Sequence, residues 1–276
     1  MERLRRIRLD RFPGGKMHAV TFSYDDGRIQ DKKLVKLFND NGLKGTFHLN
    51  SSDMTVVYDF LKSVEYVLPE EIKEVYKGHE VSCHTETHPY PCDVPSDVLL
   101  QEIIRNKAFL EKYSGGIVRG MSYPFGQCDD RIVSICRTAG MEYSRTANST
   151  KSFFLPGDFM RWEPSFHHSE VSSETVDSFL AKQKCPQPRL LNVWGHSYEF
   201  DEYGGWNKFV NFSEYISGHD EIWYATNIEI VDYISAARSL RFSADASIVY
   251  NPSAIDVWFS VDGETVCVKS GESIAI

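Results

Sequence analysis

Three short stretches of this chain hold residue types that could carry out chemistry. The first is Asp25-Asp26-Gly27, directly behind the β-rich run Ala19-Val20-Thr21-Phe22. Val, Thr and Phe favour a strand and Asp-Asp-Gly breaks one, so both acids are expected where a buried strand meets its loop. Reacting groups gather at that end in α/β folds. Neighbouring carboxylates repel unless a cation or a shared proton relieves them. The second stretch is Cys83-His84-Thr85-Glu86-Thr87-His88-Pro89, again behind a strand-like run, with its histidines four residues apart. Two imidazoles and one carboxylate suit zinc and other divalent transition metals, and they leave coordination positions open for water and substrate. The other carboxylate can then act as general base toward that water. The third is His196, behind the apolar run 190–194. Taken alone it reads as a solvent-facing or core histidine.

The elements that must position these groups alternate along the chain. Helical spacing covers 31–41, with Leu34, Val35, Leu37 and Phe38 on one face and Gly42 as the stop. Further helices are predicted at 69–77, 95–113, 129–139, 173–182, 206–216 and 228–237, and strands at 45–49, 80–83, 117–123, 141–145, 190–194 and 222–225. Such alternation points to a parallel sheet, open or closed into a barrel. Residues 147–170 break the pattern as a long loop rich in aromatics (Phe153, Phe154, Phe159, Trp162, Phe166), and loops of that length in compact domains are usually functional. Four short strands are predicted after residue 239, at 242–250, 255–259, 265–268 and 273–276. The expected division is therefore a barrel over 1–238 and a small antiparallel β appendage over 239–276, packed on the barrel's flank.

Bulk composition narrows the partners. The chain has 276 residues, 42% apolar and 25% charged, which is enough for one sizeable core. A net charge of -9 argues against a nucleic-acid partner. No apolar run approaches the ~18 residues of a membrane span. The arginines at 3, 5, 6, 8 and 11 precede no apolar segment, so they read as a solvated strand edge and not as a secretory signal. The six cysteines are scattered without Cys-x-x-Cys pairs, which favours free thiols and a cytoplasmic location. Cys83 alternates with His84 along its strand and is expected as a buried thiol. His18, His48, His79 and His219 are read as structural.

Taken together the motifs resemble those of a known family. Thr21-Phe22-Ser23-Tyr24-Asp25-Asp26-Gly27 resembles the first motif of the polysaccharide deacetylases (the NodB-homology group, carbohydrate esterase family 4), with a Ser-Tyr pair where one residue is more usual. His84-Thr85-Glu86-Thr87-His88 is similar to their second motif, Tyr123-Pro124-Phe125-Gly126 to the tail of the third, and Leu190 through His196 to the last. Order and spacing agree over 15–235. The resemblance implies a distorted (β/α) barrel of about seven parallel strands. It implies Asp25 as general base, Asp26, His84 and His88 as metal ligands, and His196 as the acid that protonates the leaving group. The backbone N–H of Phe125 would help hold the oxyanion. It implies a divalent metal, zinc first, with cobalt, nickel or manganese as alternatives. The reaction implied is hydrolysis of an N- or O-acetyl group on an oligo- or polysaccharide.

One position departs from the pattern. The third motif normally opens with an arginine that holds the base carboxylate, and here that position is Ser122. Charge balance still asks for a cation near Asp25. Arg145, at the end of its strand, and Arg161, before Trp162, are the two candidates. Tyr123, Trp162, His167 and Trp194 are the expected substrate-facing set, with Phe166 and His168 beside them. Two other readings remain: a C–N hydrolase acting on a small non-sugar amide, and a saccharide-binding protein that has lost catalysis. Self-association is left open.

Overall fold

The computed structural model describes residues 5–52, 54, 65–184 and 187–276. In chain order the elements are β1 (Ile7–Arg8), β2 (His18–Asp25), α1 (Asp31–Asp40), β3 (Gly45–Leu49), α2 (Ile72–Val75), β4 (Glu80–Cys83), α3 (Ser96–Ser114), β5 (Gly120–Ser122), α4 (Asp130–Thr138) and β6 (Tyr143–Arg145). They continue with β7 (Phe166–His167), α5 (Ser173–Leu180), β8 (Arg189–His196), α6 (Glu199–Glu202), α7 (Trp206–Ile216), β9 (Ile222–Tyr224) and α8 (Asn227–Arg238). Last come β10 (Arg241–Phe242), β11 (Ile248–Tyr250), β12 (Val257–Val261), β13 (Glu264–Val268) and β14 (Ser273–Ala275).

The main sheet runs β6-β5-β4-β3-β2-β8-β7, all parallel, with β9 paired to the start of β2. This curled parallel sheet is the distorted (β/α) barrel expected from the motifs. Strand β2 lies at its centre and is buried over all but its first residue, as a strand with neighbours on both edges and helices outside must be. It pairs along its full length with β8, from His18 opposite Arg189 to Asp25 opposite His196. That pairing explains why β8 runs past residue 194 and carries His196 within the strand. On its other edge, β2 sets Asp25 beside His48 of β3.

The long aromatic segment closes the barrel. Trp162 exchanges backbone hydrogen bonds with β6, its N–H going to Ser144 O at 3.0 Å and its carbonyl accepting from Thr146 N at 2.9 Å. Three residues later Ser165 N donates to Asn192 O at 2.8 Å, and Phe166 and His167 pair with Val193 and Trp194 of β8. Residues 162–167 thus form a stave across the gap between the sheet's ends. The helices cover the outside: Leu34, Val35 and Phe38 of α1 enter the core together with Phe209 and Phe212 of α7. Caps fix their ends. Asp129 Oδ1 accepts from Ile132 N at 2.7 Å at the start of α4, and α3 ends on Gly115 with φ 78°.

The C-terminal region forms two three-stranded antiparallel sheets where four strands in one sheet were expected. One is β10-β11-β14, because the predicted strand 242–250 breaks at a turn into two. The other is β1-β12-β13, so the N-terminal strand belongs structurally to the appendage. Ala236 and Ala237 of α8 share a core with Val249, Val257 and Phe259. Of the expected arginine strand edge, Arg3 lies outside the described residues, while Arg8 and Arg11 both pair with Asp10. The five described cysteines are free, and Cys185 lies outside the described residues. Among the described residues no helix is long and apolar enough to cross a membrane.

Candidate active site

The C-terminal ends of β2, β4, β5, β6 and β8 bring the motif residues together. Asp25 is the last residue of β2, and the chain turns at once through Asp26 (φ 79°) and Gly27 (φ 68°). A side chain on Gly27 would also meet Met54 Cε at 2.6 Å, which reserves the position for glycine. Asp26 Oδ1 then lies 3.6 Å from His84 Nε2 and 4.0 Å from His88 Nε2, and the two imidazole nitrogens are 3.1 Å apart. Four of the seven described non-glycine residues with positive φ stand here: Asp26, Thr85, His88 and Phe125. Such conformations persist only where their surroundings over-determine them, and they collect at functional sites. The supports are visible. Asn50 Nδ2 donates to the carbonyls of His84 (2.5 Å) and Thr85 (3.2 Å), Asn106 Oδ1 accepts from His84 N (3.1 Å), and Thr85 Oγ1 accepts from His88 N (3.2 Å).

These residues fit a metal ion. His84 Nδ1–H donates to the Ser122 carbonyl at 2.9 Å, so the proton sits on Nδ1 and the Nε2 lone pair is free for coordination. Burial holds this imidazole neutral, with its pKa lowered to about 4. Ligand bonds of about 2.0–2.2 Å around a tetrahedral ion place donor atoms about 3.4 Å apart, and the three separations here bracket that value. A second cluster of similar composition, His167, His168 and Glu199, does not fit. His168 Nδ1 is buried without a partner, and His167 Nδ1 accepts from Ser169 N at 3.4 Å. Both rings therefore carry their proton on Nε2, where they donate to Glu199 at 3.2 and 3.0 Å. The first cluster presents lone pairs to one point. The second presents protons to a carboxylate.

Arg145 and Arg161 separate cleanly. Arg145 of β6 is 1% exposed, and its Nη2 donates to both oxygens of Asp25. Its Nε donates to Ser23 Oγ and its Nη1 to Thr146 O, each at 2.8 Å, while the guanidinium lies 4.9 Å from the Trp194 ring centre. Burial alone would raise the Asp25 pKa, but Arg145 and the neighbouring histidines outweigh it and hold the carboxyl far below the ordinary range. Arg161 is not at the site: it pairs with Asp158 at 3.0 Å and with Asp130 on the surface. Ser122 keeps part of the lost arginine's place, its Oγ donating to Asp25 Oδ1 at 3.0 Å and lying 2.7 Å from His84 Nδ1.

The expected substrate-facing set divides. Trp162 is 1% exposed, packed against Tyr143 and Phe159, because the stave it belongs to is part of the barrel wall. Tyr123 is buried too, its hydroxyl donating to Met160 O at 2.8 Å. Neither presents a face to a ligand. His167 and Trp194 are half-buried with ring centres 5.0 Å apart, and Trp194 Nε1 donates to Ser149 Oγ at 3.1 Å. Phe125 borders the metal cluster, its ring centre 4.6 Å from that of His88. It also stacks at 3.7 Å on Tyr90, and both aromatics are about half exposed.

Several contributors were not legible in the motifs. Glu199, in the first turn of α6, lies 3.4 Å from His196 Nδ1 through Oε1 and accepts from His196 N at 3.2 Å through Oε2. Its signal was a carboxylate three residues beyond the motif histidine. Burial works against a protonated His196, but Glu199, Asp26 and Asp25 together outweigh it and raise its pKa above the ordinary imidazole value. His48 is fully buried, and its Nε2 meets Ser23 Oγ at 2.8 Å, directly behind Arg145. Cys83 is fully buried, as its alternation with His84 predicts.

Fold and site define a (β/α)-barrel protein with a strand-end His-His-Asp cluster and a salt-bridged carboxylate beside it. Residues 13–144 match the family model for polysaccharide deacetylases. The motif resemblance is borne out. No curated protein sequence matches the chain. Among solved structures it is similar to a Mycobacterium smegmatis protein assigned to the polysaccharide deacetylases, at 15% identity over 82% of this chain and 93% of that one, with a TM-score of 0.60. A domain of a multidomain xylanase from the hindgut metagenome of Trinervitermes trinervoides matches at 13% identity over 79% and 91%, with a TM-score of 0.50. A Streptococcus pyogenes deacetylase solved with acetate matches at 20% identity and a TM-score of 0.42, and the chain spans 55% of its length and aligns over 46% of its own. At these identities the likeness is one of fold. The family match over residues 13–144 is what points toward deacetylation of saccharides.

Proposed function

We propose that this chain is a metal-dependent hydrolase that removes acetyl groups, N- or O-linked, from an oligo- or polysaccharide. The observation that carries the reading is the placement of a carboxylate and an imidazole on adjacent strand ends beside one donor cluster. Asp25 and His196 are register partners, and Asp26, His84 and His88 converge next to them. A divalent cation held by those three, zinc by the donor set, would supply Lewis acidity for the acetyl carbonyl and the attacking water. Asp25, kept ionised by Arg145, takes the proton of the water as it attacks the carbonyl carbon. His196, kept protonated by Glu199, gives its proton to the nitrogen or oxygen that leaves the acetyl group. The Phe125 N–H faces the developing oxyanion in this scheme, and its left-handed backbone is the reason to assign it that role. Trp194, His167 and the Phe125–Tyr90 stack replace Trp162 and Tyr123 as the surfaces offered to the sugar.

The test is acetate release by zinc-loaded protein from chito-oligosaccharides, peptidoglycan fragments and acetylated xylo-oligosaccharides. Asp25→Asn and His196→Ala are each expected to lower kcat by about 10²-fold or more, the usual range for a general base or acid. Asp26→Asn and His84→Ala should lose bound metal by elemental analysis. Full metal occupancy with no acetate from any of these substrates would favour a saccharide-binding protein or a small-amide hydrolase instead.

A further inference from the structure

One feature of the site has no assigned role: three imidazoles gather on a single carboxylate. Glu199 Oε2 accepts from His167 Nε2 at 3.0 Å and from His168 Nε2 at 3.2 Å, as well as from the His196 backbone N–H. Only Oε1 is left for the His196 ring, at an ion-pair distance of 3.4 Å that falls short of a hydrogen bond. The arrangement is built into the fold. His168 is nearly fully buried, its ring stacked 4.2 Å from Phe200 and 5.7 Å from Tyr24, and a Cβ on Gly195 would run into it. His167 is fixed by Ser169 Oγ at 2.8 Å on its other nitrogen. Each N–H donated to Oε2 draws carboxylate charge away from Oε1, and each fixes the rotamer that aims Oε1 at His196.

We propose that His167 and His168 are positioning residues that ration Glu199 to His196, holding the acid's ring in place while keeping it able to give up its proton. This rests on the reading of His196 as the acid of the site. A carboxylate with no other donors would pair with the imidazolium so fully that proton release would be slowed. The other charged and titratable groups around this corner are Asp25 at the end of β2, Asp26 in the turn after it, Lys208 on α7, Tyr198 with Arg28 stacked on its ring, and Arg145, which lies against Trp194. They stay unchanged in the variants below.

The experiment is an NMR titration of the His196 ring in zinc-loaded protein, its signal assigned by loss in His196→Gln. In His168→Phe, which keeps the stack with Tyr24 and Phe200 but removes the N–H, the His196 midpoint is expected to rise by about 0.5 pH unit, the weight of one neutral hydrogen bond. His167→Ala should raise it in the same direction, and it decides the matter should His168→Phe fail to fold. Glu199→Gln should lower it. An unmoved or lowered midpoint in the histidine variants overturns the proposal. The titration needs no substrate, so the expected shifts without any acetate release would reject the deacetylase reading alone.

Discussion

At the scale of single residues the site turns on how one missing cation was replaced. A carboxylate as buried as Asp25 cannot stay ionised unpaired, so some guanidinium or ammonium had to reach it. Arg145 does so from the end of β6, beside the Ser122 position on β5, and all three of its nitrogens are engaged by different partners. Lysine could supply the charge but not that fork. Arg145→Ala is expected to reduce kcat/KM for acetate release by about 10²–10³-fold, comparable to loss of a pre-organised charge partner. Arg161→Ala, which breaks only surface pairs with Asp158 and Asp130, should change it less than about twofold. The sequence could narrow the choice to two arginines, Arg145 at the end of its strand and Arg161 before Trp162, but it could not say which of them faced Asp25. Glu199 was harder still. In Tyr198-Glu199-Phe200-Asp201-Glu202 it resembles any acidic helix start, and only the pairing of β2 with β8 brings that turn over the site.

At the scale of elements, what could be read was what depends on local pattern. The strands β2, β3 and β4 and the helices behind them fall where apolar periodicity puts them, since their sequences agree with their burial. The segment 162–167 was misread for a physical reason: it pairs with two different strands for only a residue or two each, so it has no strand period to detect. Its tryptophan is buried as part of the wall, whereas a loop tryptophan would have been free to meet a sugar. Strand β8 has the opposite character, with one residue decided by its neighbour across the barrel. Gly195 gives room to the His168 ring, and Gly195→Ala forces that ring to move. The expected cost is about 1–3 kcal/mol of stability, the range for overpacking a filled core. Urea denaturation measures it, and because Glu199 moves with His168, kcat should fall more than the stability loss alone explains.

At the scale of the molecule, the N-terminal strand is joined to a strand of the C-terminal region. Ile7 and Arg8 pair with Val261 and Ser260, and Tyr233 of α8 donates to Arg11 O at 2.9 Å while accepting from Trp258 N at 3.0 Å. The barrel's bottom, opposite the site, holds a buried acid. Glu80 accepts from Tyr143 Oη (2.7 Å), Thr46 Oγ1 (2.9 Å) and Ile228 N (2.9 Å). Burial outweighs those three donors and raises its pKa to about 7. The folded state thus binds this proton more tightly than the unfolded chain. Its stabilising effect is complete below the unfolded value near 4.5 and is lost as pH rises through about 7. The Tm of the unaltered protein should therefore fall relative to that of Glu80→Gln between pH 5 and pH 8, measured by calorimetry. Parallel curves would contradict this account of Glu80.

The stave at 162–167 is the short join that closes the barrel's mouth between β6 and β8. Asp26, His84 and His88 hang from the continuous part of the sheet, β2 to β4, whose strands are bonded edge to edge. Arg145 and His196 stand on β6 and β8, which meet through a few backbone bonds to that one segment. Away from that join both strands stay tied to the sheet, β8 by its full-length pairing with β2 and β6 through β5. Substitutions at Pro164 or Ser165 are therefore expected to lower acetate release while the bound metal, read by elemental analysis, is unchanged.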